Sequence, residues 1–361
     1  MAFYGAAKRV CVFISRNRSY SSSASENVNL IKQLRERTSA PIKDVKAALV
    51  DSNWDIEAAQ KELRKRGKVL ASKKSSRIAS EGLLALAQTP AKVALIELNC
   101  ETDFVARNDI FRHLALCLAK QALSLDNSSS SSAFHVGPQS LHDTTLNLEH
   151  PKISGETTVQ NAITEVAAMM GENVRLRRGY VLPASSNGFI STYLHTSPQH
   201  GLGRIAGILS LEVDDGKTQV EALQRVGSEL AMHVVAAKPS FLTKELVPSD
   251  ALQNEREILK SQAESSGKSQ MAIEKMVEGR LRKYFEDVVF MDQKFIMNDT
   301  MNVQAVLDNL SKEVGSSVRV VNFLRMEVGE GIERQETDAS ETVAQVAAFG
   351  RTFRGPGFDP N

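Results

Sequence analysis

Cysteine, long apolar runs and catalytic signatures are all scarce in this chain, and each scarcity excludes something. Its 361 residues hold three cysteines, Cys11, Cys100 and Cys117, with no Cys-x-x-Cys pair and no histidine pair beside them. That argues against a zinc site or a disulfide framework and fits a reducing compartment. No stretch reaches the ~18 apolar residues that a membrane span requires, so none is expected. There is no Gly-x-x-x-x-Gly-Lys-Ser/Thr, no Gly-x-Gly-x-x-Gly after a strand, no Gly-x-Ser-x-Gly and no His-Glu-x-x-His. His195 and His200 lie five apart in a loop that contains Pro198, a poor spacing for a metal. No catalytic centre, metal or cofactor is expected.

Acidic residues are missing from the N-terminus, where their absence coincides with basic and serine-rich composition. The first is Glu26, and the segment before it carries Lys8, Arg9, Arg16 and Arg18, a short apolar stretch from Val10 to Ile14, and a serine cluster from Ser19 to Ser25. Basic, serine-rich and acid-free is the composition of an organellar transit peptide. Residues 1–25 are therefore expected to direct the chain to the mitochondrion (matrix), with the plastid as second choice.

What is present is a soluble globular composition, 42% hydrophobic and 24% charged, in a chain long enough for two or three domains. Residues 28–67 read as three short helices. Leu30, Ile31 and Leu34 form one stripe; Ile42, Val45 and Leu49 form the second, opened by Pro41; Ile56, Ala59 and Leu63 form the third. Asp51-Ser52-Asn53 is expected to cap that third helix and Gly67 to stop it. A basic run follows, from Lys61 to Arg77, with Glu62 as its one acid. It could meet an acidic partner or RNA, or be a solvated helix end.

Strands are expected over Val93–Cys100, Arg177–Leu182, Gly188–Leu194, Ile205–Val213 and Val318–Val328. Helices are expected over Val159–Met170, closed by Gly171, and over Val303–Val314. Val93 to Leu98 and Gly207 to Val213 are each followed by a long helix, a faint repeat suggesting two related halves. Residues 249–290 are helical apart from Ser265-Ser266-Gly267. Ile273, Met276, Val277, Arg280, Leu281, Tyr284 and Val288 keep coiled-coil-like spacing, which suggests a projecting hairpin. The polar run Asn127–Ser132 reads as a surface loop.

Four segments carry a family resemblance: Leu34 to Thr38 with Asp44 to Leu49; Glu97 to Asp109, which contains Asn99-Cys100-Glu101-Thr102-Asp103-Phe104-Val105; Ala231 to Val234 with Ala237-Lys238-Pro239; and Val328 to Glu333. A fifth, Glu274 to Arg280, falls on the expected hairpin. Together they resemble elongation factor Ts of the organellar type. The resemblance implies an α+β fold: a ubiquitin-associated-like three-helix domain at 26–76, then a core half at 77–184 with a serine-rich insertion at 127–150. A second half at 185–335 would include the hairpin 249–290, with a tail at 336–361. It implies a non-catalytic guanine-nucleotide exchange factor that binds elongation factor Tu, GDP-bound or nucleotide-free, with no direct nucleic acid. The hairpin would be the dimer surface if one forms. A ubiquitin-type or RNA-binding adaptor is the alternative.

By the same resemblance, Thr102, Asp103, Phe104 and Val105 would dislodge magnesium in the partner. Lys46, Lys74, Met170, His195 and His233 match further contact positions. Pattern alone leaves two readings of Phe104. On one continuous helix it joins the stripe of Phe111, Leu114 and Leu118; if a helix starts at Asn108-Asp109 it lies on an exposed loop, and the resemblance favours the loop. His233 could equally be a core histidine, Met170 a core methionine, and His200 the match in place of His195. The chain departs from the family at Thr38 to Lys43, where a glycine-bearing turn and apolar residues are expected.

Fused to a fluorescent reporter, residues 1–25 should carry it to mitochondria in cells. A reporter that stays in the cytosol would refute the assignment.

Overall fold

The computed structural model describes residues 19–38, 40–125, 133–214, 220–264 and 269–333. Most of the expected targeting segment and the tail beyond 333 lie outside them. The first three helices are α1 (Ser19–Thr38), α2 (Ile42–Asp51) and α3 (Ile56–Lys74). Leu34, Val45, Ala48, Leu49 and Ala59 form their common core, with Trp54, Ile56 and Leu63 packed on it. Helix α1 begins at Ser19, so it takes in the serine cluster assigned to the targeting segment. Two local expectations are corrected. Ile42 is exposed and not part of the stripe with Val45 and Leu49. The cap of α3 is Asp55, whose carboxylate accepts from the N–H groups of Glu57 and Ala58, and not the Asp51-Ser52-Asn53 turn.

The first half of the core follows. Strand β1 (Glu81–Gln88) pairs antiparallel with β2 (Lys92–Cys100), and then come α4 (Asp103–Ala106), α5 (Asp109–Leu123), β3 (Phe134–Val136), α6 (Pro138–Leu141), the hairpin β4 (Thr145–His150) with β5 (Ile153–Thr158), α7 (Val159–Met170) and β6 (Arg175–Pro183). The second half is β7 (Gly188–His195), β8 (Leu202–Gly203), β9 (Ile205–Val213), α8 (Val220–Ala237), α9 (Ser249–Glu264), α10 (Gln270–Val288), β10 (Lys294–Phe295), β11 (Asn298–Asn302), α11 (Val303–Val314) and β12 (Val318–Glu327). The largest sheet has the order β3-β6-β2-β1-β8 and a second, three-stranded sheet the order β12-β9-β7, while β4 with β5 and β10 with β11 form two-stranded pairs. The fold is α+β.

Strand β1 was not foreseen. Its Leu-Leu-Ala-Leu-Ala run carries no strand alternation, and it is a strand because tertiary pairing with β2 makes it one. Gly82, at φ +144°, is required there: a Cβ would lie 2.1 Å from the Leu98 carbonyl oxygen.

Strand β2 is apolar on both faces because both are covered. Ala94, Ile96, Leu98 and Cys100 face the helices, packing with Phe111, Leu114 and Leu118 of α5 and Val166 of α7. Val93 and Leu95 face the other way, into a cluster with Ala206, Ile208 and Met326 of the second sheet. The two sheets therefore share an apolar seam, and Leu209 and Leu211 pack on the far side against α8 and α11.

Three further corrections come from packing. Helix α3 does not stop at Gly67 but runs to Lys74. The glycine is where α3 meets α7, since a Cβ would sit 2.8 Å from that of Ala168. The expected insertion at 127–150 is shorter than assigned: residues 126–132 lie outside the described residues, but Val136, Leu141, Leu146 and Leu148 are buried in the first core. The hairpin α9–α10 has a core of its own residues, Leu259, Ala263, Ile273, Val277 and Leu281, while Arg280 stays exposed outside that core and bonds across to Gln262 of α9.

Glu97 and Asn99 lie on the seam side of β2 and are fully buried. A bulge opposite Glu97 in β6 brings both Arg177 and Arg178 to it, at 3.1 Å and 2.7 Å. The Gly329 N–H donates to the same carboxylate at 2.8 Å, and the Asn99 amide at 3.1 Å. Arg177 also donates to the Glu330 carbonyl and Arg178 to that of Glu327. Burial pushes the Glu97 pKa up, but the bonds from Gly329, Arg178 and Asn99 outweigh it and hold the carboxyl below its ordinary value.

Glu97→Ala should cost about 3–5 kcal/mol, because it leaves two arginines facing an empty seam. The depressed pKa fixes the sign of the pH effect. The stabilisation is whole above the ordinary carboxylate range and is lost as pH falls through that range to the lowered value. Glu97→Gln should flatten this part of the acid limb in thermal unfolding; an unchanged limb would refute it.

Candidate functional site

After Cys100 the chain leaves the sheet and is pinned at once. The Glu101 carboxylate accepts the Asn173 N–H at 2.6 Å and faces Arg77 at 3.4 Å. Thr102 donates its N–H to Glu172 Oε2 at 3.0 Å and its hydroxyl to Glu172 Oε1 at 2.6 Å. The Cys100 thiol donates to the Thr102 carbonyl at 3.1 Å. Burial, with Glu172 and Glu81 nearby, pushes the pKa of that thiol up to about 12, so it stays protonated and able to donate.

Helix α4 is a single turn. Val105 and Ala106 are buried against the first core, while Phe104 is 77% exposed. Asp103 receives Arg107 at 2.7 Å, four residues on. The chain breaks at Arg107-Asn108, and Asn108 caps α5 by accepting from the Ile110 N–H at 2.9 Å. The break decides the two readings of Phe104. It is neither on the Phe111 stripe nor on an open loop but on a separate helical turn, which takes its ring away from the core. Val105 is corrected by the same geometry: it anchors the turn from below and is not displayed.

The loop after α7 completes the neighbourhood. Gly171 closes the helix at φ +69°, and Lys74 donates its ammonium to the Gly171 carbonyl. Met170 is half-buried at the edge of the core. Asn173 is tied by its amide to the carbonyls of Ser75 at 3.1 Å and Arg77 at 2.6 Å. Lys74, Met170 and Thr102–Phe104 thus converge through residues 171–173. Glu172 and Asn173, which hold this arrangement, were missed from sequence; their signal was a polar pair wedged between a helix end and a buried strand.

The remaining residues lie elsewhere. Lys46 is exposed on α2, and His195 is exposed at the end of β7 with its Nδ1 3.2 Å from the Tyr193 hydroxyl. His200 borders a separate cleft with Leu86, Leu116 and Leu194. His233 is corrected as a surface contact, because it is fully buried. Its Nδ1 accepts the Ile296 N–H at 3.3 Å and its Nε2 meets the Gln293 carbonyl oxygen at 3.0 Å. Gln293 in turn donates to the carbonyls of Ala237 and Asp287. Burial lowers the His233 pKa and favours the neutral ring this pairing needs.

Part of the basic run is paired within the protein, by side chains that stay 41–65% exposed. Arg64 and Lys68 meet Glu165, Arg66 meets Glu62 and Asp51, and Arg77 meets Glu101.

The sequence profile described as Elongation factor TS matches residues 101–330, a span that takes in the Thr102–Arg107 turn. The chain is 73% identical over 339 residues to a mitochondrial elongation factor Ts of Ricinus communis, covering 93% of this chain and 89% of that protein. It is 68% identical over 336 residues to the mitochondrial elongation factor Ts of Arabidopsis thaliana, covering 91% and 85%. It is 39% identical over 319 residues to elongation factor Ts of Bartonella quintana, covering 88% and 97%.

Phe104→Ala should change folding stability by no more than about 0.5 kcal/mol, as exposed positions do. Phe111→Ala, seven residues on, should cost about 3–5 kcal/mol. Denaturant unfolding of both variants checks the contrast; a strongly destabilised Phe104→Ala would place that ring in the core.

Proposed function

This chain belongs to the elongation factor Ts family, and from that premise we propose that it is the nucleotide-exchange partner of a mitochondrial elongation factor Tu. It is a translation elongation factor of the mitochondrial type. The finer reading is that it binds the GDP form of the partner without chemistry of its own and speeds GDP release by disturbing the magnesium and phosphate site. One observation carries this: Phe104 stands bare beside Asp103 on a turn whose ends are tied to the core. A rigid, exposed ring next to a carboxylate is suited to wedging into a partner, since little entropy remains to be lost on binding.

Linkage sets the scale. A factor that binds the nucleotide-free partner tightly must weaken GDP by the factor that GDP weakens it. Burying one Phe side chain contributes about 1.5–3 kcal/mol, whereas inverting a 1:99 population needs about 5.5 kcal/mol. Phe104 and Asp103 therefore act with a wider surface, to which Lys46, Lys74, Met170 and His195 are proposed to contribute. His233 would contribute only by supporting α8 from within. The RNA-binding alternative is disfavoured because the Lys61–Arg77 run carries no interleaved aromatic on which a base could stack.

Stopped-flow release of fluorescent GDP from elongation factor Tu tests the proposal. The wild-type chain should accelerate release, and loss of the Phe104 burial should slow it by roughly tenfold or more. Asp103→Ala should also be slower. With magnesium stripped by EDTA, the wild-type advantage over both variants should shrink. Full-rate exchange by a folded Phe104→Ala protein would overturn the wedge.

A further inference from the structure

We infer that Glu172 is a positioning residue for Phe104: its carboxylate clasps Thr102 by two atoms and thereby sets the direction in which α4 presents the ring. The inference rests on the reading of Phe104 as the contact and adds the residue that aims it.

A single helical turn has almost no stability of its own, because nucleation fixes several residues for one hydrogen bond. The orientation of α4 must therefore come from its flanks. On the C-terminal side, burial of Val105 and Ala106 and the Asn108 cap hold the turn down. On the N-terminal side the holder is Glu172. Thr102 occupies the N-cap position, with an extended backbone at φ −124° and ψ 154°, yet its hydroxyl makes no cap bond to α4. That hydroxyl is diverted to Glu172 at 2.6 Å, and the N–H of the same residue goes to the other carboxylate oxygen at 3.0 Å. The Thr102 carbonyl is taken by the Cys100 thiol and the Ala106 N–H. All the polar atoms of Thr102 are thus committed, while Phe104 is largely exposed and the Asp103 side chain meets Arg107 within the same turn.

Glu172 can serve as a fixed point because its neighbours are fixed. Gly171 turns the chain in the left-handed region and receives Lys74. Asn173 is 4% exposed, donates its N–H to Glu101 and ties its amide to two carbonyls near the end of α3. A carboxylate carried between two such anchors has little freedom, and charge-assisted bonds from it are the strong kind. A glutamine could keep both contacts, accepting the N–H and donating to the hydroxyl oxygen. An aspartate is one methylene short.

Two measurements on the full chain test this. In GDP release from elongation factor Tu, Glu172→Ala should be roughly tenfold slower, the loss expected for hydrogen bonds to a charged group. Glu172→Gln should recover most of the rate. In the Phe104→Ala background, Glu172→Ala should cost much less than in the wild-type chain, because the ring it aims is gone and only Asp103 on the same turn remains. Independently, amide hydrogen exchange should show Thr102, Ala106 and Arg107 losing protection in Glu172→Ala but not in Glu172→Gln, while α5 amides keep theirs. Unchanged protection, or additive rate losses in the double variant, would overturn the positioning role. Wild-type exchange by Phe104→Ala would instead overturn the contact reading, leaving the hydrogen-exchange result to judge the clasp.

Discussion

The buried carboxylate of Glu97 is the constraint on which the two halves of this protein depend. It sits on the seam side of the central strand, and a charge in that place is tolerable only if it is fully paired. Its partners come from the bulged strand β6 and from Gly329, 232 residues away in the chain. One side chain therefore specifies how the first sheet, the bulge and the segment after β12 meet. The apolar seam of Val93, Leu95, Ile208 and Met326 supplies attraction between the sheets but little direction. The hydrogen-bonded carboxylate supplies the register.

The candidate site is a continuation of the same strand. Three residues after Glu97 the chain emerges at Cys100, and the order built into the seam passes directly into the turn that carries Phe104. Polar groups are spent freely on the flanks of that turn, at Glu101, Thr102 and Asn173, and none is spent on the ring itself. An apolar ring left bare at the end of a rigid strand does not help this chain fold. Its exposure is the feature that the proposed wedge into the partner uses.

The N-terminal helices are joined to this site through α3. Gly67 permits its close approach to α7, and Lys74 and Arg77 reach the loop and Glu101 beside the turn. The basic run is accordingly a structural strap along α3. Its positive charge is met in part by Glu165, Asp51, Glu62 and Glu101.

Elements with local start and stop chemistry were legible in the sequence. Helix α7 runs from a Thr158 cap to Gly171, α11 from an Asn302 cap to Gly315, and β9 occupies the expected residues. The Thr102–Phe104 segment was singled out by resemblance. What the sequence could not decide was which way each side chain faced, because the deciding partners are remote. Thr102 meets Glu172 at a separation of 70 residues, His233 meets Gln293 at 60, and Arg64 meets Glu165 at 101. Periodicity describes a segment's own faces and is blind to what covers them. So the tertiary structure alone put Phe104 on a separate helical turn, buried Val105 and His233, set Val136, Leu141, Leu146 and Leu148 into the core and paired part of the basic run.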